Sequence, residues 1–464
     1  MTARRIRPPK QRREITIEHD GKRYPAYEGE PLAAALMASG VTVLGRSSKY
    51  HRPRGASCGT GDCGNCLVQV DGMPNRCACT TPCHDEMVSE SQNVIGSAEN
   101  DLLAMTDWMF PRGLDHHEMF TGLPLVQPVA QRIIRKLSGL GVLARTADSS
   151  AEREPRPPTI VDVLVVGAGA SGLAAAEVAR EAGAEVLLVE ALNEPGGRRL
   201  GGLHCSPSDA KTATRKLLEM GVDIWPDSGA VQIDRTQGVL EVLILRPEGL
   251  FPVRPRATVL CCGGYVSTGV FPNNDLPGIM AAEWAARLIT KWGMLPGERP
   301  VICADEPIAK ALRELFVKAG APPVRVLPIS AAYADVWPGN PPEKLVTALG
   351  GKHVERVIVE NAAGTEVVDC DLVVVASPPA PAFELALDAG AHVAYEEQSG
   401  GFAVRAGPEG GTAAENVFAA GTLVGPCTVE EAHAGGRTAG EAAATAALTL
   451  LQESYHSREN RDAS

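Results

Sequence analysis

The chain has 464 residues, with 44 Lys and Arg against 56 Asp and Glu, a formal net charge of -12, and 44% hydrophobic but only 4% aromatic residues. That length suggests two or three domains, each able to bury its own core, in a soluble globular protein rich in small residues. The acidic balance argues against nucleic acid as the main partner, because phosphates are bound by a basic face.

In chain order, residues 1–13 hold six Arg or Lys and read as a basic, flexible arm, or as an arm that docks on an acidic partner subunit. No apolar run follows it, so a secretory signal is not expected. Residues 14–95 read as a small domain. "EITIEHDGKRYPAYEG" predicts a hairpin turning at Asp20-Gly21, "EPLAAALMASG" a short helix ending at Gly40, and "CLVQVDG" a strand with a turn at Asp71-Gly72. Residues 96–157 have no strand pattern and are expected to form a helical linker, closed by the polar, proline-rich "ADSSAEREPRPP".

From Thr159 the pattern changes to strands alternating with helices. "VDVLVV", "ASGLAAAEVAREAG" and "AEVLLVE" make a right-handed crossover unit of a parallel sheet. The long apolar run here contains Asp162 and three glycines, so it predicts strand, turn and helix and not a membrane span. A second set, "RPVICADEPIAKALRELFVKAG" and "PVRVLPIS", repeats the alternation, and the chain returns through "DCDLVVVAS", "NVFAAGTLVG" and a closing helix. The expectation is a dinucleotide-binding domain over 158–285 and 370–464, with a second, degenerate dinucleotide-fold domain over 286–369.

Six of the twelve cysteines fall between Cys58 and Cys83; Cys205, Cys261, Cys262, Cys303, Cys370 and Cys427 are scattered. Without an export signal this predicts a cytoplasmic protein with a metal centre, not disulfides. Cys58, Cys63 and Cys66 have the C-x4-C-x2-C spacing of plant-type [2Fe-2S] centres, with Cys77 or Cys79 as the fourth thiolate. Gly59, Gly61 and Gly64 remove the side chains that would keep backbone N–H groups from the cluster sulfurs. Structural zinc sites use paired C-x2-C knuckles set apart, which this spacing does not match.

Gly167, Gly169 and Gly172 form G-x-G-x-x-G between a strand and a helix, with Glu190 ending the next strand as the ribose-binding acid. Gly167 allows the tight turn, Gly169 the approach of a pyrophosphate and Gly172 the close packing of helix on strand. Ala170 and Ser171 open the helix whose N-terminus faces the anion. The second set lacks this chemistry: after "PVICA" stand Asp305 and Glu306 and no glycine, so it is not expected to bind a nicotinamide dinucleotide. His433 and the pair His116-His117 have no partner motif and read as structural or exposed. The scattered cysteines contain no C-x-x-C pair, which disfavours a dithiol reductase.

The stretch "GRSSKYHRPRGASCGTGDCGNCLVQVDGMPNRCACTTP" resembles the ferredoxin-like domain of the alpha-subunit family of heteromeric sarcosine oxidase. Its relatives include hydrogen cyanide synthase and opine, hydroxyproline and dye-linked proline dehydrogenases. The resemblance extends through the linker and the dinucleotide unit, and it implies an α/β chain with an α+β ferredoxin-like N-terminal domain on a two-dinucleotide-domain, disulfide-reductase-like flavoprotein. In cluster-bearing members the fourth ligand follows an Ala before a Thr-Pro element, which here implies Cys79. The charged residues of "KYHRPRG", Lys49, His51, Arg52 and Arg54, are expected to shape the domain or its interface. "NEPGGR" resembles the segment after the ribose acid in flavoprotein amine oxidases and implies Arg198 as a phosphate partner. "TVLCCGG" and "NVFAAGTLVG" resemble the later flavin signatures and imply Gly263, Gly421 and Thr422, although those enzymes usually carry Asp where Thr422 stands.

The resemblance therefore implies FAD, with NAD or ATP as alternatives at the same site and an FMN at a subunit interface as a further flavin. It implies an oxidoreductase acting on CH-NH or CH-NH2 donors, in which a flavin-containing, beta-type partner oxidises the amine and this chain passes electrons to a downstream acceptor. The alternatives are a self-contained NADH-dependent reductase and a scaffold subunit with a structural nucleotide. The folate-binding domain of sarcosine oxidase alpha is not expected after "EAAATAALTLLQESYHSRENRDAS". Localisation is expected to be cytoplasmic, or peripheral to the inner membrane through partners.

Overall fold

Both Asp-Gly pairs turn hairpins. Asp20 and Gly21, and likewise Asp71 and Gly72, all have positive φ, the geometry of a two-residue hairpin turn, and they set His19 opposite Lys22 and Val70 opposite Met73. The structure is a computed structural model that describes residues 3–48, 50–94, 96–102, 156–203, 207–236, 238–336, 340–396 and 401–462. The helix expected within 96–157, His116, His117 and Lys49 lie outside the described residues.

The chain forms two compact units, Met1–Ser149 with Thr268–Ser377, and Ser150–Ser267 with Pro378–Ser464. The first contains a five-stranded sheet in the order Lys22–Tyr27, Glu14–His19, Val88–Ser91, Leu67–Val70, Met73–Cys77. The helix Leu32–Ala38 buries Leu32 to Met37 and ends in Gly40, φ +86°. This is the ferredoxin-like domain. The same unit holds a parallel four-stranded sheet in the order Ile279–Ala281, Leu372–Val375, Pro300–Cys303, Arg325–Leu327, with helices Ala282–Thr290 and Ile308–Lys318.

The second unit is built on a seven-stranded sheet. Asp223–Trp225, Val186–Val189, Thr159–Val166 and Gly249–Leu260 run parallel, Val417–Ala419 pairs parallel with Gly249–Leu260, and Val239–Arg246 and Gly229–Thr236 continue antiparallel from it. The helix Ala170–Glu181 packs on the closing helix Val429–Asp462, where Gly436 and Gly440 stand so close that a Cβ would meet the Ser171 and Ala175 carbonyls at 2.1 and 2.4 Å.

Two expectations differ from this architecture. The segments 268–285 and 370–377 belong with the second sheet, since Ile279–Ala281 and Leu372–Val375 are neighbouring strands of it. An apolar strand run announces burial but not which sheet it joins. The basic arm is also not free: Arg4–Arg5 pairs antiparallel with Met294–Leu295, and Arg7 donates to the carbonyls of Ile289 and Thr290. Those carbonyls close a helix whose C-terminal dipole attracts a cation, so part of the charge of the arm docks within the unit.

Candidate functional site

Glycines fold the cysteine loop. Gly59, Gly61 and Gly64 have φ of +76°, +88° and +63°, which a side chain would resist. Leu67 then stands opposite Cys77 in the next hairpin, and the Ala78 N–H donates to the Cys66 carbonyl at 3.0 Å. This register returns residues 77–79 to the loop, so five sulfurs meet. Cys58 faces Cys63 and Cys79, and Cys66 faces Cys77 and Cys79. Cys58, Cys66 and Cys79 are buried, Cys77 is half-buried and Cys63 is exposed.

The hydrogen bonds among these thiols are unequal. Those from Cys63 and Cys79 hold Cys58 far below the usual thiol range, and those from Cys77 and Cys79 do the same for Cys66. The donors Cys63, Cys77 and Cys79 are pushed up in return. The Thr60 N–H, 3.5 Å from Cys58 Sγ, adds a backbone donor to the same sulfur. Cys77 also turns its thiol toward the Gly61 carbonyl at 3.4 Å. Cys83 stands apart, its thiol raised by burial beside Glu30.

Among the described residues no group of three or more His, Cys, Asp or Glu side chains is disposed to hold a single ion. The sulfurs instead form two pairs, Cys58 with Cys63 and Cys66 with Cys77, linked through Cys79, which faces both Cys58 and Cys66. Linked pairs fit a [2Fe-2S] centre, which takes four thiolates over two irons. Uptake would displace the protons these donors hold.

The glycine turn divides its labour. A Cβ on Gly167, φ +97°, would stand 2.4 Å from the Cys261 carbonyl oxygen, and one on Gly172 would stand 1.7 Å from the Gly167 carbonyl oxygen. The fold itself demands both glycines. Among the described residues nothing lies within 4 Å of a Cβ position on Gly169, so its bare backbone stands clear of them at the N-cap of the helix Ala170–Glu181. Aligned peptide dipoles and unpaired N–H groups make that end a place for an anion.

Glu190 is buried and accepts the Ala168 N–H at 2.8 Å and the Leu192 N–H at 2.9 Å. Burial raises its carboxyl while these donors oppose the rise. The Ala191 N–H also bonds this carboxylate, and its remaining lone pair could take a ribose hydroxyl. Gly196 donates to the Ala168 carbonyl at 2.8 Å and Gly197 lies against Gly169, so the short 3-10 turn Gly197–Gly201 starts at the glycine loop. Arg198 is on it, half-buried. Its neighbour Arg199 is buried with an Nε–H that has no acceptor among the described residues. A buried donor of this kind suits an anionic ligand.

The two later signatures meet the same turn from the other side. Gly421, φ +74°, lies so close to Ser171 that a Cβ would stand 2.6 Å from its Oγ. Thr422 turns its hydroxyl to Cys427 Sγ at 3.8 Å. Gly263, φ +71°, has no described residue within 4 Å of a Cβ position and accepts the Ala382 N–H at 3.1 Å. The closing helix begins with a capping box: Thr428 Oγ1 accepts the Glu431 N–H at 3.2 Å, and Glu431 Oε2 accepts the Thr428 N–H at 2.8 Å.

A family model described as "2Fe-2S iron-sulfur cluster binding domain" matches residues 12–94, and one described as "FAD dependent oxidoreductase" matches residues 162–224. Hydrogen cyanide synthase subunit HcnA of Pseudomonas aeruginosa is 36% identical over 85 residues, 18% of this chain and 81% of that protein. Sarcosine oxidase subunit alpha of Rhizobium meliloti is 27% identical over 418 residues, 84% of this chain and 42% of that protein. The chain belongs to the family of these subunits. It spans less than half the length of the sarcosine oxidase alpha subunits it matches. In fold it is similar to the crystal structure of L-proline dehydrogenase from P. horikoshii, with a TM-score of 0.67 at 19% identity, over 93% of this chain and 73% of that one.

Within the family frame the second domain carries no dinucleotide turn after Cys303. Asp305 Oδ1 accepts the Ile329 N–H there at 3.1 Å. Arg52 and Arg54 both bind Asp275, Arg52 through two oxygens at 2.9 and 3.0 Å, and so shape the domain's contact with the second sheet. Two features gave no signal in the sequence. No motif singles out Arg199, and nothing marks Trp284 and Arg287 as neighbours of the cysteine loop, Arg287 standing 228 positions from Gly59. No helix among the described residues is long and apolar enough to cross a membrane.

Proposed function

We propose that this chain is the electron-transfer subunit of a heteromeric amine or amino-acid dehydrogenase of the sarcosine oxidase, hydrogen cyanide synthase and opine oxidase kind. The observation that carries the reading is the meeting of the thiols of Cys58, Cys63, Cys66, Cys77 and Cys79 in a chain that also builds an anion-ready glycine turn. When bound, a flavin accepts electrons in pairs and a [2Fe-2S] centre hands them on singly; the hard chemistry is the cofactors' own.

The chain's residues supply placement. Cys58, Cys63, Cys66 and Cys79 hold the cluster, and the left-handed glycines let backbone donors reach its sulfurs. Cys79 is preferred to Cys77 because it is buried and faces both Cys58 and Cys66. Gly169 leaves room for a pyrophosphate before the Ala170–Glu181 helix, with Arg198 or Arg199 as its cation and Glu190 for the ribose hydroxyls. A carboxylate there disfavours a 2′-phosphate. Ser171, Gly263, Gly421 and Thr422 line the remaining edge. The dinucleotide is FAD on this reading.

Thr422, standing where flavin enzymes usually carry Asp, favours a second reading in which the turn holds NAD or ATP. Amine oxidation itself belongs to a flavin-containing partner, with glycine, proline, hydroxyproline and opines as candidate substrates, and the acceptor lies downstream. Rapid mixing separates the readings: the complex with its partner is reduced by one of these amines and not by NADH alone. Bleaching of this chain by NADH without a partner overturns the proposal.

A further inference from the structure

The approach to the cysteine loop is built against the second sheet of the same compact unit. The Ala281 N–H donates to the Ser57 carbonyl at 2.9 Å, so the residue before Cys58 is tied to the N-cap of the Ala282–Thr290 helix. The residue after Cys58 meets that helix one turn on. A Cβ on Gly59 would stand 2.6 Å from Trp284 Cδ2 and Cε3, so the indole lies directly on the Gly59 backbone and only glycine fits beneath it. Trp284 is 1% exposed. Arg287, one turn further along the helix, donates from Nη2 to the Gly59 carbonyl and holds its guanidinium 5.0 Å from the centre of the Trp284 ring.

These contacts put a permanent cation one peptide unit from Cys58. Arginine keeps its charge at any pH the protein meets, and its position is fixed by the carbonyl it binds and the ring it stacks on. Of the basic residues nearest in sequence, Arg52 and Arg54 share the one carboxylate of Asp275, and Arg46 donates to the carbonyls of Ala98 and His51. Reduction adds one negative charge to a centre already anionic. A nearby cation in a partly dry site favours the reduced form.

We propose that Arg287, held by Trp284, sets the reduction potential of the centre from outside the ferredoxin-like domain. This rests on the reading that the loop holds a [2Fe-2S] cluster. A wild-type chain without iron would fail that reading, whereas a loaded chain with an unmoved potential would fail only this one.

The test is a redox titration of the full-length chain, followed by the low-temperature electron spin resonance of the reduced cluster, for wild type, Arg287→Lys, Arg287→Gln and Arg287→Met. Arg287→Met keeps an unbranched side chain without the charge. The expected order is a potential near wild type for Arg287→Lys and a clearly lower one for both neutral variants. Equal potentials in all four overturn the proposal. Should both neutral variants lose their iron, retention by Arg287→Lys supports a need for charge. Loss from all three reduces Arg287 to a structural clamp and overturns the tuning role.

Discussion

Arg5 grips Glu30 with both ends of its guanidinium, Nη1 to Oε2 and Nη2 to Oε1, each at 2.9 Å, and the Glu30 side chain is wholly buried. The carboxylate also accepts the Tyr27 N–H at 2.8 Å, so one residue of an arm rich in charge anchors the start of the Leu32–Ala38 helix. Removing the cation leaves a buried charge uncompensated. Arg5→Ala is therefore expected to lower stability by about 3 kcal/mol, the low end for a broken buried pair because Arg5 is itself partly exposed.

The pH dependence of that loss has a definite sign. Burial raises the Glu30 carboxyl above its ordinary value while Arg5 opposes the rise. Without Arg5 the folded state binds the proton more tightly than the unfolded state does. Arg5→Ala should then regain stability as pH falls through the raised pKa, with the gain complete below the ordinary carboxylate range. Urea midpoints measured at several pH values check this; a deficit that widens on acidification contradicts it.

The two kinds of glycine in the nucleotide turn separate folding from binding. Gly169→Ala puts a methyl group into open space at an ordinary φ of -75°, so thermal stability should stay within about 0.5 kcal/mol of wild type. Release of nucleotide on denaturation should nevertheless fall sharply, because the methyl occupies the approach to the helix N-terminus. Gly172→Ala drives a Cβ into the Gly167 carbonyl and should cost about 3 kcal/mol or more. Calorimetry with chromatography of the released nucleotide distinguishes the two, and normal nucleotide content in Gly169→Ala argues against an anion at this turn.

Serine substitutions assign the thiols. Cys58→Ser and Cys66→Ser should abolish the cluster absorbance, since both sulfurs are buried at the meeting point of the others. Cys79→Ser should do the same, while Cys77→Ser and Cys83→Ser should retain most of the iron. Loss with Cys77→Ser and retention with Cys79→Ser would exchange the fourth ligand.

Local chemistry was legible in the residues. The Asp20-Gly21 and Asp71-Gly72 turns, the strand Thr159–Val166 and the helix behind Gly169 depend on neighbours within a few positions, and their patterns carry that information. The family resemblance added the ferredoxin-like domain. The long-range contacts were not legible: Arg287 and Gly59 are separated by 228 positions, Arg52 and Asp275 by 223, and no local pattern announces such pairs. The arm failed for a related reason, since six cations in thirteen residues look solvated until Glu30 and two helix-end carbonyls are found beneath them. The sheet that takes Leu372–Val375 was missed because burial alone does not name a partner.

An iron–sulfur centre in the Cys58–Cys79 loop is checked by analysis of iron and acid-labile sulfide in the anaerobically purified full-length chain. About two irons and two sulfides per chain are expected, lost together in Cys58→Ser. A chain that purifies without iron, or that holds one zinc in their place, would contradict it.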